Sequence, residues 1–128
     1  MSDLNSTHNR VVWCDIPVAD LDRAAAFYAA VLGIEVTKQS FNDFTFCILD
    51  HKEGNGGCLV KNAAEISSKA GILVYFNVNN RIRDAVKKVE QTGGTVLQPT
   101  HAIGPHGFRA LVKDSEGNRI ALHSTTDS

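Results

Sequence analysis

The sequence predicts an α+β fold: two tandem β-α-β-β-β modules whose sheets curl into a cup, with the helices on the outer face. Three observations carry that expectation. An alternating apolar strand followed by a capped, apolar-striped helix occurs twice along the chain. Each occurrence leads into three further strand-like segments set apart by turn signals. The two occurrences superpose at a fixed offset of sixty residues, Asp20 falling on Asn80 and Gly33 on Gly93.

The first strand is expected over Arg10 to Val18, with Val12, Cys14, Ile16 and Val18 on one face and Trp13, Asp15 and Pro17 on the other. Asp20 is placed to cap the helix that follows, because its carboxylate accepts from the free N–H groups of the first turn, and Asp22 adds favourable charge there. Leu21, Ala24, Ala25, Phe27, Tyr28, Val31 and Leu32 recur at three- and four-residue spacing as the buried stripe, and Gly33 stops the helix. Strands are expected over Ile34 to Gln39, Phe44 to Leu49 and, after a Gly-rich turn, Cys58 to Lys61. Asn62 to Lys69 reads as the linker.

The second half repeats the plan. Gly71 to Val78 alternates as a strand, with Ile72, Val74, Phe76 and Val78 on its apolar face. Asn80 takes the cap position, Ile82, Ala85, Val86 and Val89 form the stripe, and Gly93-Gly94 ends it. Thr95 to Leu97, Phe108 to Lys113 and Asn118 to Ser124 supply three more strands. The expected organisation is one domain over 1–128, with modules at about 10–61 and 71–124 joined by 62–70.

Composition narrows the function classes. With 43% hydrophobic residues, 21% charged and a net charge of −1, nothing gives nucleic acid or an anionic membrane surface an electrostatic reason to bind. No apolar run approaches the ~20 residues that span a bilayer, and the opening MSDLNSTHNR lacks a signal-peptide pattern, so a cytoplasmic location is the expectation. Cys14, Cys47 and Cys58 show no C-x-x-C spacing and read as buried small hydrophobes. There is no phosphate-cradling P-loop and no G-x-S-x-G elbow.

One face of each strand is apolar and belongs under a helix. The other carries Trp13, Asp15, Tyr75, Asn77 and His123, a mixture suited neither to a dry core nor to bulk water. Two such faces curled around a shared cleft would bind a small molecule. The alternative is that they pack as a dimer interface.

The stretch W-x-D-I-P-V-A-D-x-D-R-A-x-A-F-Y-x-x-V-L-G, Trp13 to Gly33, resembles the opening motif of the vicinal oxygen chelate (glyoxalase/bleomycin resistance/dioxygenase) superfamily, and Asp114 to His123 resembles its closing D-x-x-G-N-x-x-E-L motif. The likeness spans about residues 10 to 124. It implies paired β-α-β-β-β modules, a homodimer, and a small-molecule ligand in a cup of sheet. It also implies four positions at which the superfamily's enzymes hold a divalent metal: here Trp13, its repeat counterpart Leu73, Ala121 in place of the closing Glu, and Lys61 as the counterpart of Ala121. Two apolar groups, an indole and an ammonium make a poor ligand set, so no metal or other cofactor is expected, although Asp15 and His123 could be recruited by a small shift.

What remains is proton chemistry. Asp15 and His123 each lie two residues from a lost ligand position, so alternation keeps them on the cavity side, and Tyr75 holds the matching place on the fifth strand. If these strands meet, Asp15, His123 and Tyr75 form the catalytic group, a carboxylate beside an imidazole moving a proton next to a carbonyl. Trp13, Lys61, Leu73, Asn77, Ala121 and His106 would line the ligand, with His51 and His101 in solvent-facing loops. The leading expectation is a glyoxalase-like protein that binds a small carbonyl-bearing or aromatic molecule without a metal, either as a binding protein or as a weak lyase or isomerase acting next to a carbonyl. The alternatives are a metal-dependent lyase or dioxygenase with non-standard ligands, and a module that only sequesters a drug or metabolite.

Overall fold

A computed structural model describes residues 13–128. Its elements run β1 (Trp13–Val18), α1 (Leu21–Leu32), β2 (Val36–Phe41), β3 (Phe44–Leu49), β4 (Gly56–Lys61), β5 (Tyr75–Asn77), α2 (Ile82–Gln91), β6 (Thr95–Ala102), β7 (Phe108–Lys113) and β8 (Arg119–Ser124). The expected Arg10–Val12 portion of the first strand lies outside the described residues. The fold is α+β, with two four-stranded sheets of matching order, β1-β4-β3-β2 and β5-β8-β7-β6. In each, the first and last strands of the module pair in parallel and the remaining pairs are antiparallel.

Local chemistry sets the first helix as its sequence suggests. Asp20 is extended, and its carboxylate accepts from the Arg23 N–H at 3.0 Å. Gly33 closes the helix in the left-handed region at φ 67°. Between β1 and β4 the backbones come so close that a Cβ on Gly57 would sit 2.6 Å from the Cys14 carbonyl oxygen and sulfur. Only glycine fits that register.

The second helix is built differently. Asn80 is not its cap: it sits at φ 65°, and Arg81 flanks the helix without any side-chain cap. The Asn80 N–H donates instead to Ser124 Oγ at 2.9 Å, and its side-chain oxygen accepts from Thr126, so Asn80 ties the chain end to β5. β5 is also shorter than the alternation of Gly71 to Val78 suggests. Only Tyr75–Asn77 finds a partner strand, and Ile72, expected on the core face, is 93% exposed. β6 is longer, running through Pro99 to Ala102. It tolerates the proline because it is an edge strand whose pairing with β7 slips between Val96 and His101.

Both modules share one core. Val18, Phe27, Tyr28, Val31 and Leu59 pack with Val78, Ile82, Val89, Val112 and Leu122, all buried. Each such side chain contributes up to about 1.5–3 kcal/mol by leaving water. A polar weld adds direction to this contact. In the β7–β8 turn, Asp114 accepts from the Tyr28 hydroxyl at 2.6 Å and from the Glu116 and Asn118 N–H groups. Asn118 Nδ2 donates to the Pro17 carbonyl at 2.6 Å. Glu116 accepts from the N–H groups of Ala19 and Asp20 and from Arg23 at 2.7 Å. Burial alone would raise the Glu116 carboxyl, but these donors, Arg23 foremost, hold it down at about 2. The closing motif is thus a joint between modules.

Candidate functional site

With α1 and α2 covering the apolar faces, alternation leaves the opposite face of each sheet open. On the first sheet that face carries Trp13, Asp15 and Pro17 from β1, Cys58 and Val60 from β4, and Phe44, Phe46 and Ile48 from β3. Trp13 is 40% exposed and lies edge-on to His51, and Phe44 stacks on Phe46. Asp15, Pro17, Val60, Asn62 and Glu65 line an open cleft of about 340 Å³. The Cys58 thiol donates to Asp15 Oδ1 at 3.3 Å. Burial is the main force pushing that thiol up to about 11; a hydrogen bond from Trp13 lowers it, while the bond to Asp15 and its charge raise it. Cys58 therefore stays protonated near neutral pH and keeps donating, leaving the other Asp15 oxygen open to the cleft.

The second sheet presents a different surface. Register places Asn77 opposite His123, His123 opposite Arg109 and Arg109 opposite His101, a polar row across all four strands. Tyr75, 40% exposed, lies beside the row, opposite Ala121. Arg109 Nη1 donates to the Tyr75 hydroxyl at 2.8 Å and Nε donates to His101 Nε2 at 3.1 Å. His101 Nδ1 lies 2.8 Å from the Pro99 carbonyl. A carbonyl only accepts, so Nδ1 carries the hydrogen and His101 meets Arg109 as a neutral acceptor. The same reasoning fixes His123, whose Nε2 donates to the His106 carbonyl at 2.7 Å.

These positions revise several expectations. Tyr75 and His123 share the open face of the second sheet, but Asp15 lies on the first. No hydrogen bond or ion pair among the described residues joins it to them. His123 is buried against the 104–107 turn. Lys61, exposed at the end of β4 opposite Val18, is not the counterpart of Ala121. Asp15 pairs with Cys58 and Tyr75 with Ala121, so Cys58 holds that place. The offset of sixty holds for the first strand of each module, is sixty-one at the helices, whose caps are Asp20 and Arg81, and reaches sixty-three by β3 and β7. Leu73 precedes β5 and is half-buried, and Ala121 is fully buried. Asn77 accepts from the Asn79 N–H at 2.8 Å. His106 sits half-buried in the turn that receives His123. His101 does not face solvent from a loop; it is part of β6 and half-buried. Arg109 was not foreseen at all, although Ala110 and Val112 pointing inward would place it on the open face.

The donor set does not suit the superfamily's metal. Trp13, Leu73 and Ala121 offer no metal-ligating atom, which leaves Cys58, the fourth position by register, alone. Among the described residues no three His, Cys, Asp or Glu side chains gather as a potential metal site.

Comparison with known proteins places these faces in context. Residues 10–122 match the family model of the Glyoxalase/Bleomycin resistance protein/Dioxygenase superfamily. A glyoxylase-like domain-containing protein of Didymella fabae is 26% identical over 121 residues, 90% of this chain and 93% of that one. The crystal structure of UcmS2 superposes with a TM-score of 0.64 at 25% identity, covering 91% of this chain and 98% of the other. A glyoxalase/bleomycin resistance protein/dioxygenase family enzyme from Burkholderia phytofirmans PsJN gives 0.69 at 18% identity, over 89% and 97% of the two chains.

Proposed function

We propose that this chain, which belongs to the Glyoxalase/Bleomycin resistance protein/Dioxygenase superfamily, binds a small carbonyl-bearing molecule on its open sheet faces without a metal at the superfamily's usual positions. The observation that carries this reading is Trp13, exposed at the open face beside the cleft that Asp15 enters. An aromatic surface next to a few hydrogen-bonding groups, here Asp15, Asn62 and Glu65, is the lining that small-molecule sites use. Exposed Tyr75 and Phe44 on the same kind of face support closure of the site by a second copy of the chain, a homodimer in the cytoplasm. No helix among the described residues is long and apolar enough to cross a membrane.

The chemistry open to such a site is isomerisation or lyase chemistry next to a carbonyl. Asp15 accepts the proton from the carbon beside the carbonyl, the C–H electron pair becomes a C=C bond and the C=O π pair moves onto the oxygen. The enolate then either takes the proton back at carbon, giving an isomer, or re-forms the carbonyl as it expels a group from the β-carbon, which leaves with the proton. Cys58 orients the carboxylate. A ligand-observed NMR screen of small aldehydes, ketones and 2-oxo acids, with parallel thermal-shift assays, tests the reading. At least one carbonyl compound should bind saturably, and Asp15→Asn should abolish any turnover of it while binding persists. Failure of every carbonyl compound to bind would sink the proposal. Stoichiometric transition metal in protein purified without chelator would overturn its metal-free part.

A further inference from the structure

The second sheet's open face holds a cation that no carboxylate among the described residues pairs. Arg109 is half-buried, and its two hydrogen-bond partners, Tyr75 Oη and His101 Nε2, are uncharged acceptors. A guanidinium has five N–H donors. One on Nε and one on Nη1 are used, and among the described residues no acceptor takes the other three. The ion pairs among the described residues all lie elsewhere. Part-buried Arg81, by comparison, reaches both the Val31 carbonyl and the Asp84 carboxylate. Arg109 is the contrast.

Its surroundings hold it in place. His101 is fixed as the Nδ1–H tautomer by the Pro99 carbonyl and so presents a lone pair to Nε. Tyr75, from the far side of β8, receives Nη1 and keeps its own hydroxyl hydrogen for another acceptor. The face therefore offers three guanidinium N–H groups and one phenol O–H, all donors, beside an uncompensated positive charge. A planar, delocalised anion matches a guanidinium better than any neutral group, through short charge-assisted bonds.

We infer that Arg109, braced by Tyr75 and His101, is an anion-binding site for a carboxylate group on the ligand. The inference rests on the reading of the open faces as a ligand site and narrows it: the carbonyl compound carries a carboxylate. A 2-oxo acid would set its carboxylate on Arg109 and present its carbonyl to the Tyr75 hydroxyl.

The site can be tested without knowing the natural ligand, using benzoate and its neutral isostere benzamide. Titrating each into the full-length protein and following the ring NMR signals of His101 and Tyr75 reads the site directly. Benzoate should shift both signals saturably, and benzamide should bind about tenfold more weakly or not at all. Arg109→Gln should lose about tenfold or more in benzoate affinity, whereas Arg109→Lys, which keeps charge but not the planar donors, should recover part of it. An unchanged amide spectrum outside the polar row shows that both variants fold. Equal binding of benzamide, indifference to Arg109→Gln, or no saturable shift at tens of millimolar would each overturn the anion site. Binding of neutral aldehydes or ketones would survive all three results, so the anion site and the broader reading fail separately.

Discussion

The two open faces share a topology and an alternation but not a chemistry. The first sheet offers Trp13, Phe44, Phe46, Ile48 and Val60 around one carboxylate, Asp15. The second offers the row Asn77, His123, Arg109 and His101 beside Tyr75. The difference teaches where the fold's symmetry ends. Strand order, pairing sense and the apolar stripes under the helices are repeated because one packing problem is solved twice. Positions facing away from the helices carry no such constraint, so the two faces diverge: an apolar surface around one carboxylate on the first, a cationic polar row on the second.

The strongest way to break the comparison is to remove what the faces share. Phe27 is buried in the common core and lies against the place where a Gly94 side chain would be. Phe27→Ala should cost about 3–5 kcal/mol. Urea unfolding followed by Trp13 emission for the first sheet and by amide signals for the second should give coincident transitions at a lower midpoint. Separate transitions would mean that the modules fold independently.

The Glu116 joint comes next. Glu116→Gln should destabilise the chain by about 2 kcal/mol at neutral pH, because it removes a charge held by Arg23 and two backbone N–H groups. The folded carboxyl lies at about 2 against an ordinary 4.5, so its contribution is complete above the ordinary value and is lost as pH falls from there toward about 2. The urea-midpoint gap between wild type and variant should therefore close over that window. A constant gap would show that the charge is not what matters.

Substitutions on the open faces should be the gentlest for stability and the most selective for binding. Trp13→Ala and Arg109→Gln should each change unfolding free energy by about 0.5–1 kcal/mol or less, since both side chains are part-exposed. Calorimetry with benzoate should register the loss at Arg109. Calorimetry with a neutral aromatic ketone identified in the ligand screen should register the loss at Trp13. Equal losses for both ligands in both variants would mean that the faces are not divided as argued.

Much of this was legible in the sequence because it is local. The Asp20 cap, the Gly33 stop, the stripe of α1 and the full extents of β3 and β7 follow from period, cap and turn chemistry within a dozen residues. What was not legible depends on partners far along the chain. Asn80 looks like a cap, but Ser124 and Thr126, more than forty residues on, hold it in another conformation. The counterpart of Ala121 turned out to be Cys58 because β6 absorbs extra residues at an irregular edge, which an offset cannot reveal. Arg109 reads as an ordinary strand arginine until register brings it level with His123 and His101 and within reach of Tyr75. The grouping of Asp15 with Tyr75 and His123 assumed that two sheets meet at those strands, and each of the three has found its partner elsewhere.

Trp13 is the only tryptophan in the chain and stands on the open face beside the Asp15 cleft, so its emission reports on the proposed site without a label. Titration of the wild-type protein with phenylpyruvate, which joins an aromatic body, a carbonyl and a carboxylate, tests the central claim most directly. Saturable quenching or a spectral shift of Trp13, weakened about tenfold in Arg109→Gln, is the predicted result. A Trp13 signal that stays linear and featureless up to the solubility limit of the ligand, in wild type and variant alike, would contradict it.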